Sequence, residues 1–145
     1  MKTLATIKSV EFIKSDELTL YPKKHIIPGD TISAIADFIK LNLTEPAQSE
    51  TTPEPTENGL RYTTKVSGFV YDEDDYTTQN IMQVNYYCYR LTDVYGNKYL
   101  IGIDKSPYPE IIFRPRNEAT PGGNRSVAFE ITWISTLPPL VIVDL

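Results

Sequence analysis

The most regular pattern in the chain lies near its C-terminal end, where Val127, Phe129, Ile131 and Trp133 alternate with more polar positions. A period of two places all four on one side of an extended strand, so this segment is expected to form a strand with one face on a core. Tyr62, Thr64 and Val66 alternate with Thr63, Lys65 and Ser67 and lead into Phe69-Val-Tyr71, a second expected strand. In a third, Met82, Val84, Tyr86 and Cys88 line one face while Tyr87, Tyr89 and Leu91 line the other. Large apolar groups on both faces imply that neither is wet. One serves the core, and the other is expected to be covered by a loop or by another subunit.

Turn signals separate these runs. Gly96-Asn97, between Leu91-Thr-Asp93 and Tyr99-Leu-Ile101, reads as a hairpin turn that needs positive φ. Pro107, Pro109 and Pro115 punctuate an Ile111-Ile-Phe113 strand, which places it at an edge or a crossing. Pro121-Gly-Gly-Asn124 reads as a further turn. The chain closes on Leu137-Pro-Pro-Leu140 and Val141, Ile142, Val143, Asp144 and Leu145, an apolar tail that either completes the sheet or reaches a neighbour.

The first third is less regular. Ile7, Val10, Phe12 and Ile13, then Leu18 and Leu20, suit short strands near an edge. Pro28-Gly-Asp30 is a turn, after which Asp30 could cap a helix with Ile32, Ile35, Ala36 and Ile39 on one face. The β-branched content and the alternation of Ile35, Asp37, Ile39, Leu41 and Leu43 favour a strand over residues 37–43, with one helical turn before it as the alternative. Residues 44–59 contain three prolines, four glutamates and no large apolar side chain. Such a stretch cannot offset its own ordering entropy, so it is expected to be a long Pro/Glu/Thr-rich loop inside one domain, held by a partner.

These elements define a mainly β chain, an antiparallel β-sandwich or barrel, with residues 1–145 as a single domain and residues 137–145 as a tail or final strand. A chain of 145 residues with 41% hydrophobic positions can support one such core. Ten tyrosines against five phenylalanines and one tryptophan add a preference for half-buried strand faces and wet contacts. The net charge of −5 disfavours a protein that tracks nucleic-acid phosphates; Lys23-Lys-His25 and the Arg114/Arg116 pair read as solvated surface. The single cysteine forbids an internal disulfide, and the lysines of the first eight residues interrupt any signal-peptide core. No apolar run is long enough to span a membrane, and the Asn42 and Asn124 sequons carry little meaning in a cytoplasmic product.

Candidate chemistry is thin. Asp72-Glu-Asp-Asp75 offers hard oxygen ligands, but Thr77 stands where a calcium loop needs glycine and Gln83 where it needs a bidentate glutamate. His25 has no ligand partner at zinc spacing. Cys88 continues an apolar strand face, where a thiol acts as a small hydrophobe. Glu110 and Glu130 could in principle pair for glycoside chemistry, but sequence does not set their separation, and Glu130 falls on the face opposite Phe129, Ile131 and Trp133, which implies solvent. Gly122-Gly123 lacks the lysine and helix of a phosphate loop, and the phase of Trp133 makes it core rather than a sugar platform. No catalytic residue, metal site or cofactor is assigned, and the chain is expected not to be an enzyme.

The second half, residues 59–135, resembles uncharacterised structural, neck- or tail-associated proteins of phages and prophages of gut bacteria. The likeness lies in Gly59-Leu-Arg-Tyr-Thr63, in Leu91-Thr-Asp-Val-Tyr-Gly-Asn-Lys-Tyr-Leu-Ile-Gly102, in Pro107-Tyr-Pro109 and in Phe129-Glu-Ile-Thr-Trp133. The resemblance implies a virion component, made in the host bacterial cytoplasm, that meets copies of itself in a ring and other virion proteins. It implies no sequence-specific nucleic-acid binding and no membrane. The contact candidates are Tyr86, Tyr87 and Tyr89, Pro53 and Pro55 of the 44–59 segment, and Leu140, Val141, Ile142, Val143 and Leu145 of the tail. The competing expectation is a β-sandwich binding module that recognises a carbohydrate or protein surface.

Overall fold

The structure is a computed structural model that describes residues 3–21, 25–71, 86–105, 107–115 and 126–143. It is mainly β. Strands β1 (Thr3–Lys14), β2 (Thr19–Tyr21), β3 (Thr31–Ile35), β4 (Ile39–Lys40), β5 (Ala47–Thr56), β6 (Gly59–Tyr71), β7 (Tyr87–Asp93), β8 (Lys98–Ile101), β9 (Glu110–Pro115), β10 (Ser126–Ser135) and β11 (Leu140–Ile142) belong to one connected sheet. Its order is β2-β3-β11-β8-β7-β1-β5-β6-β10-β9, with β4 on β1. Pairing is antiparallel except between β11 and β3, so the sheet is mixed rather than purely antiparallel. Its terminal strands, β2 and β9, do not meet among the described residues, and the sheet is not closed into a barrel.

The sheet folds over on itself as a sandwich does. One hydrophobic cluster joins Val10 of β1 and Tyr89 of β7 to Phe129, Ile131 and Trp133 of β10, strands from opposite stretches of the sheet. The four alternating residues of β10 are buried, as their period predicts. Trp133 is 1% exposed, and its indole N–H donates to the Pro107 carbonyl at 3.0 Å, tying the β8–β9 connection to the core. β9 lies at the sheet edge, in keeping with its prolines. The β7–β8 hairpin turns at Gly96, with φ of 88°.

β7 is buried on both sides, as its aromatics imply. Tyr87, Tyr89 and Leu91 enter the first cluster, and Cys88 enters a second with Ile13, Leu18, Ile32, Leu100 and Leu140. That second face is packed by the chain's own Leu20, Ile26, Ala36 and Phe38 rather than by residues 44–59.

β1 departs from the expectation of short edge strands. It runs for twelve residues and pairs β7 on one side, β5 and then β4 on the other. The irregular spacing of Ile7, Val10 and Phe12 has a cause: the β7 register slips between Ile7 and Ser9, leaving Lys8 as an extra residue. That bulge restores all three apolar side chains to the same core. Only the short β2 lies at an edge.

Two other segments differ. Over 30–43 the strand is Thr31–Ile35, followed by the two-residue β4, in place of a continuous strand over 37–43 or a helical turn. Asp30 caps no helix; its carboxylate accepts the Ile27 N–H at 2.9 Å across the turn at Gly29. Residues 44–59 are not a loop. They form β5 and, through a tight turn at Glu57-Asn58, a hairpin with β6 paired from Gln48↔Ser67 to Thr56↔Gly59. The inner face of β5 is small, with Ala47, Ser49 and Thr51 buried, and it needs no large side chain of its own. Neighbouring Gly68 leaves room for the Phe129 ring: a Cβ there would sit 3.0 Å from that of Ala47 and 3.1 Å from Phe129 Cε1. The acidic run 72–75, Met82 and Val84, and the 121–124 turn lie outside the described residues.

Candidate contact surface

Among the described residues β5 and β6 outrun their neighbours. β1 begins its pairing with β5 at Thr3↔Thr51, and β10 ends on β6 at Ser135↔Tyr62, so the rest of the hairpin projects as a two-stranded arm with residues 54–61 exposed. Its two faces differ. On one, the Arg61 guanidinium meets the Glu54 carboxylate at 2.6 Å across the ladder, a solvated ion pair. On the other, the period of two that buries Ser49, Thr51, Thr64 and Val66 carries Pro53, Pro55, Leu60 and Tyr62 outward.

The prolines also set what the arm can do. Pro53 and Pro55 lack an N–H and sit two residues apart, so they remove donors from one edge of β5. Pairing with β6 continues unbroken through both, which places the donorless edge on the β1 side of β5, past the described pair Thr3↔Thr51. An edge blunted in this way resists strand addition. Of the two sides of this segment, the edge is blunted and the apolar face is the one left open.

Where the arm joins the body, that face opens into a groove of about 260 Å³. Buried Ile7, Ser49, Thr51 and Leu91 form its base, and half-buried Ala5, Pro53, Tyr62, Tyr99, Pro138 and Pro139 its rim. No aspartate, glutamate, lysine, arginine or histidine lines it. At its base Thr51 Oγ1 and Thr64 Oγ1 are 3.2 Å apart, a buried hydroxyl pair that fixes the β5–β6 register. From Tyr99 the same face continues across the register pair Tyr99↔Val141 to Val141 and Val143, 42% and 44% exposed.

The contact candidates thus separate. Pro53 lines the groove, Pro55 lies on the arm, and Val141 and Val143 continue the exposed face. Tyr87, Tyr89 and Leu140 are at most 5% exposed and belong to the monomer's own cores, so they offer a partner nothing. Ile142 is half-buried against the second core. Tyr86 is 65% exposed and stacks on Tyr108 with ring centroids 4.6 Å apart. Leu145 lies outside the described residues. Tyr62, Tyr99, Pro138 and Pro139 were not singled out from the sequence, because they come from three distant stretches that only the topology gathers. The tail is part of the sheet, so removing residues 137–145 would take Leu137 and Leu140 out of the two cores.

The chemical candidates stay apart. The Cys88 thiol donates to the Ile103 carbonyl at 3.3 Å, and burial, with Asp104 nearby, pushes its pKa up to about 12. It is a protonated, buried thiol rather than a nucleophile. His25 is exposed at a wider cleft of about 750 Å³ that also includes Asp104, Lys105, Ser135 and Thr136. Glu110 and Glu130 sit on adjacent strands; Glu110 is exposed, and Glu130 is half-buried in a shallow hollow with Glu45. Among the described residues no three His, Cys, Asp or Glu side chains group to hold a metal ion, and no helix is long and apolar enough to cross a membrane.

No family model matches the chain, and no curated protein or solved structure matches it significantly.

Proposed function

We propose that this protein is a non-enzymatic structural subunit of a bacteriophage virion, a neck or tail ring or connector component that assembles through contacts between copies and with other virion proteins. The observation that carries the reading is the arm with its adjoining groove. An uncharged, proline- and tyrosine-rich surface lies open beside an arm whose apolar side has no cover among the described residues. An isolated two-stranded hairpin is marginal in water, so an arm of this kind gains most of its order when another surface packs on it. The stretches that carry the phage resemblance build this end: Leu91–Gly102 forms the β7–β8 hairpin that supplies Leu91 and Tyr99, and Gly59–Thr63 supplies Leu60 and Tyr62.

The test is mass spectrometry of density-purified particles induced from a host carrying the gene. The expected result is the chain at a copy number comparable with other neck or tail proteins. Its absence from intact particles, with the protein abundant in the lysate, would refute the reading. The second reading, a module that binds a carbohydrate or protein surface, draws on the tyrosines of the same groove and predicts a stable monomer with the groove free for its ligand.

A further inference from the structure

We propose that the groove receives Tyr95 from a second copy of this chain, and that two copies exchange this side chain reciprocally. The inference rests on the assembly reading and names the contact by which it begins. Tyr95 is 87% exposed, well above Val94 beside it at 48%. An exposed ring is ordinary on a mobile loop, but this turn is pinned. The buried Asp93 carboxylate accepts the N–H groups of Tyr95 and Asn97, each at 2.9 Å, and the Asn97 side-chain amide at 3.3 Å. The Val94 N–H donates to the Thr6 carbonyl of β1 at 3.2 Å, and Gly96 supplies the positive φ that closes the turn. A tyrosine on such a mount loses little conformational freedom on docking, and tyrosine is among the residues that dominate contact energies.

The groove matches that side chain in size, polarity and charge. Its volume of about 260 Å³ is below the ~300 Å³ at which sites for whole small molecules begin, and it suits one aromatic side chain. Prolines and tyrosines at the rim offer apolar and aromatic surface for the ring, while the Ser49 and Thr51 hydroxyls at the base can satisfy a phenol. Charge permits a second copy at this one place. Each chain carries a net charge of −5, so two copies repel over most orientations. Here the stretch Val94–Asn97 and the groove are both without charge, and the arm's Arg61 and Glu54 neutralise each other, with Glu57 at the arm's turn its one further charge. Tyr95 does not fill its own groove: Leu91 and Tyr99, which flank its turn, line the groove, yet the ring stands in solvent. Because donor and acceptor lie at one end of the molecule, mutual insertion gives a two-fold contact.

Sedimentation velocity over a concentration series tests this with the full chain, Tyr95→Ser, and Pro139→Glu, which sets a charge at the groove rim. The wild-type chain is expected to form a dimer, and each variant alone to dimerise at least about thirtyfold more weakly. An equimolar mixture of the variants should regain part of the affinity, since one intact ring then faces one intact groove. Neither site supports the core, so loss of folding does not mimic the result; the mixture guards against it in any case. A wild-type chain that remains monomeric, a Tyr95→Ser chain that dimerises like wild type, or a mixture no better than its components would each overturn the contact. All three results leave the particle experiment to decide the virion reading separately.

Discussion

Gly102 ends β8 and begins the connection to β9, and its replacement by alanine is the sharpest probe of how that connection is built. Its φ is +89°, and a Cβ placed on it would lie 2.7 Å from both Cδ and Cγ of Pro109. Two separate penalties follow. Holding a non-glycine residue at positive φ costs about 1–2 kcal/mol, and forcing a methyl group against a rigid, buried proline ring costs about 1–3 kcal/mol. Their sum centres near ~3.5 kcal/mol, which for a chain of this length lowers Tm by roughly 7–14 °C. Gly96 supplies the control: its φ is +88°, but nothing lies within 4 Å of its Cβ position, so Gly96→Ala carries only the first penalty. Urea unfolding followed by the fluorescence of Trp133, the only tryptophan and a buried one, reads both variants directly. Combining Gly102→Ala with Pro109→Ala should recover most of the second penalty as a coupling energy. If Gly102→Ala and Gly96→Ala differ by less than about 0.5 kcal/mol, the close approach of Pro109 is wrong. The Tyr-Leu-Ile-Gly102 and Pro107-Tyr-Pro109 rhythm would then have no packing basis.

Four further outcomes follow from the same fold. Cys88 should resist a thiol reagent at pH 8 while the chain is folded and react rapidly in urea; equal rates would contradict its burial. Because its folded pKa lies above the unfolded value, its contribution to stability is complete below about pH 9 and is lost as pH rises towards about 12, so Cys88→Ala should flatten the alkaline limb of a stability–pH profile. Asp93 works in the opposite direction. Desolvation raises its pKa, but hydrogen bonds from Asn97, Tyr95 and Gly96 outweigh this and hold the carboxyl below its ordinary range. Its contribution is therefore present above about pH 4 and lost as pH falls through the lowered value, and Asp93→Asn should remove that part of the acid dependence, an unchanged acid limb speaking against it. Arg90 forms a two-pronged pair with Glu11 at 2.6 and 3.1 Å across β1 and β7, with its guanidinium 4.2 Å from the Phe38 ring centroid. With both side chains only about one-fifth exposed, a Glu11→Gln/Arg90→Met double-mutant cycle should give about 1–2 kcal/mol of coupling, and a value near zero would place the pair with ordinary surface ion pairs.

What could be read from the sequence depended on whether a strand carries its own apolar face. β10 does, and its four core residues were evident from alternation alone. β7 announced its double burial through Tyr87, Cys88, Tyr89 and Leu91, although the cover on its second face comes from Ile26, Ala36 and Phe38, in a segment whose irregular turns hide its packing. β1 was misplaced because its bulge at Lys8 breaks the period, so one long central strand looked like short pieces. β5 was lost altogether. Ala47 is small because Phe129 fills the space above the neighbouring Gly68, a demand that lies some eighty residues away in the chain, while Ser49 and Thr51 are small at the base of the groove.

The contact surface shows the same dependence on partners that local composition cannot reveal. Pro53 and Pro55 among glutamates and threonines read as disorder, since such a segment has nothing to bury. Yet two prolines at strand period are also the residues that an outward-facing edge requires: they leave the inner ladder intact and deny donors to any strand that approaches from outside. Glu57-Asn58-Gly59 shortly after them, followed by Leu60, Tyr62, Thr64 and Val66 in phase, completes a hairpin signal at the level of sequence. The spacing of the prolines relative to that turn distinguishes the two readings. In a disordered tract the proline phase would be arbitrary, whereas here both prolines share the face and parity of buried Thr51 and stand opposite Tyr62 and Leu60. The arm is protected against indiscriminate strand pairing along its edge, and its apolar side remains available for one specific contact.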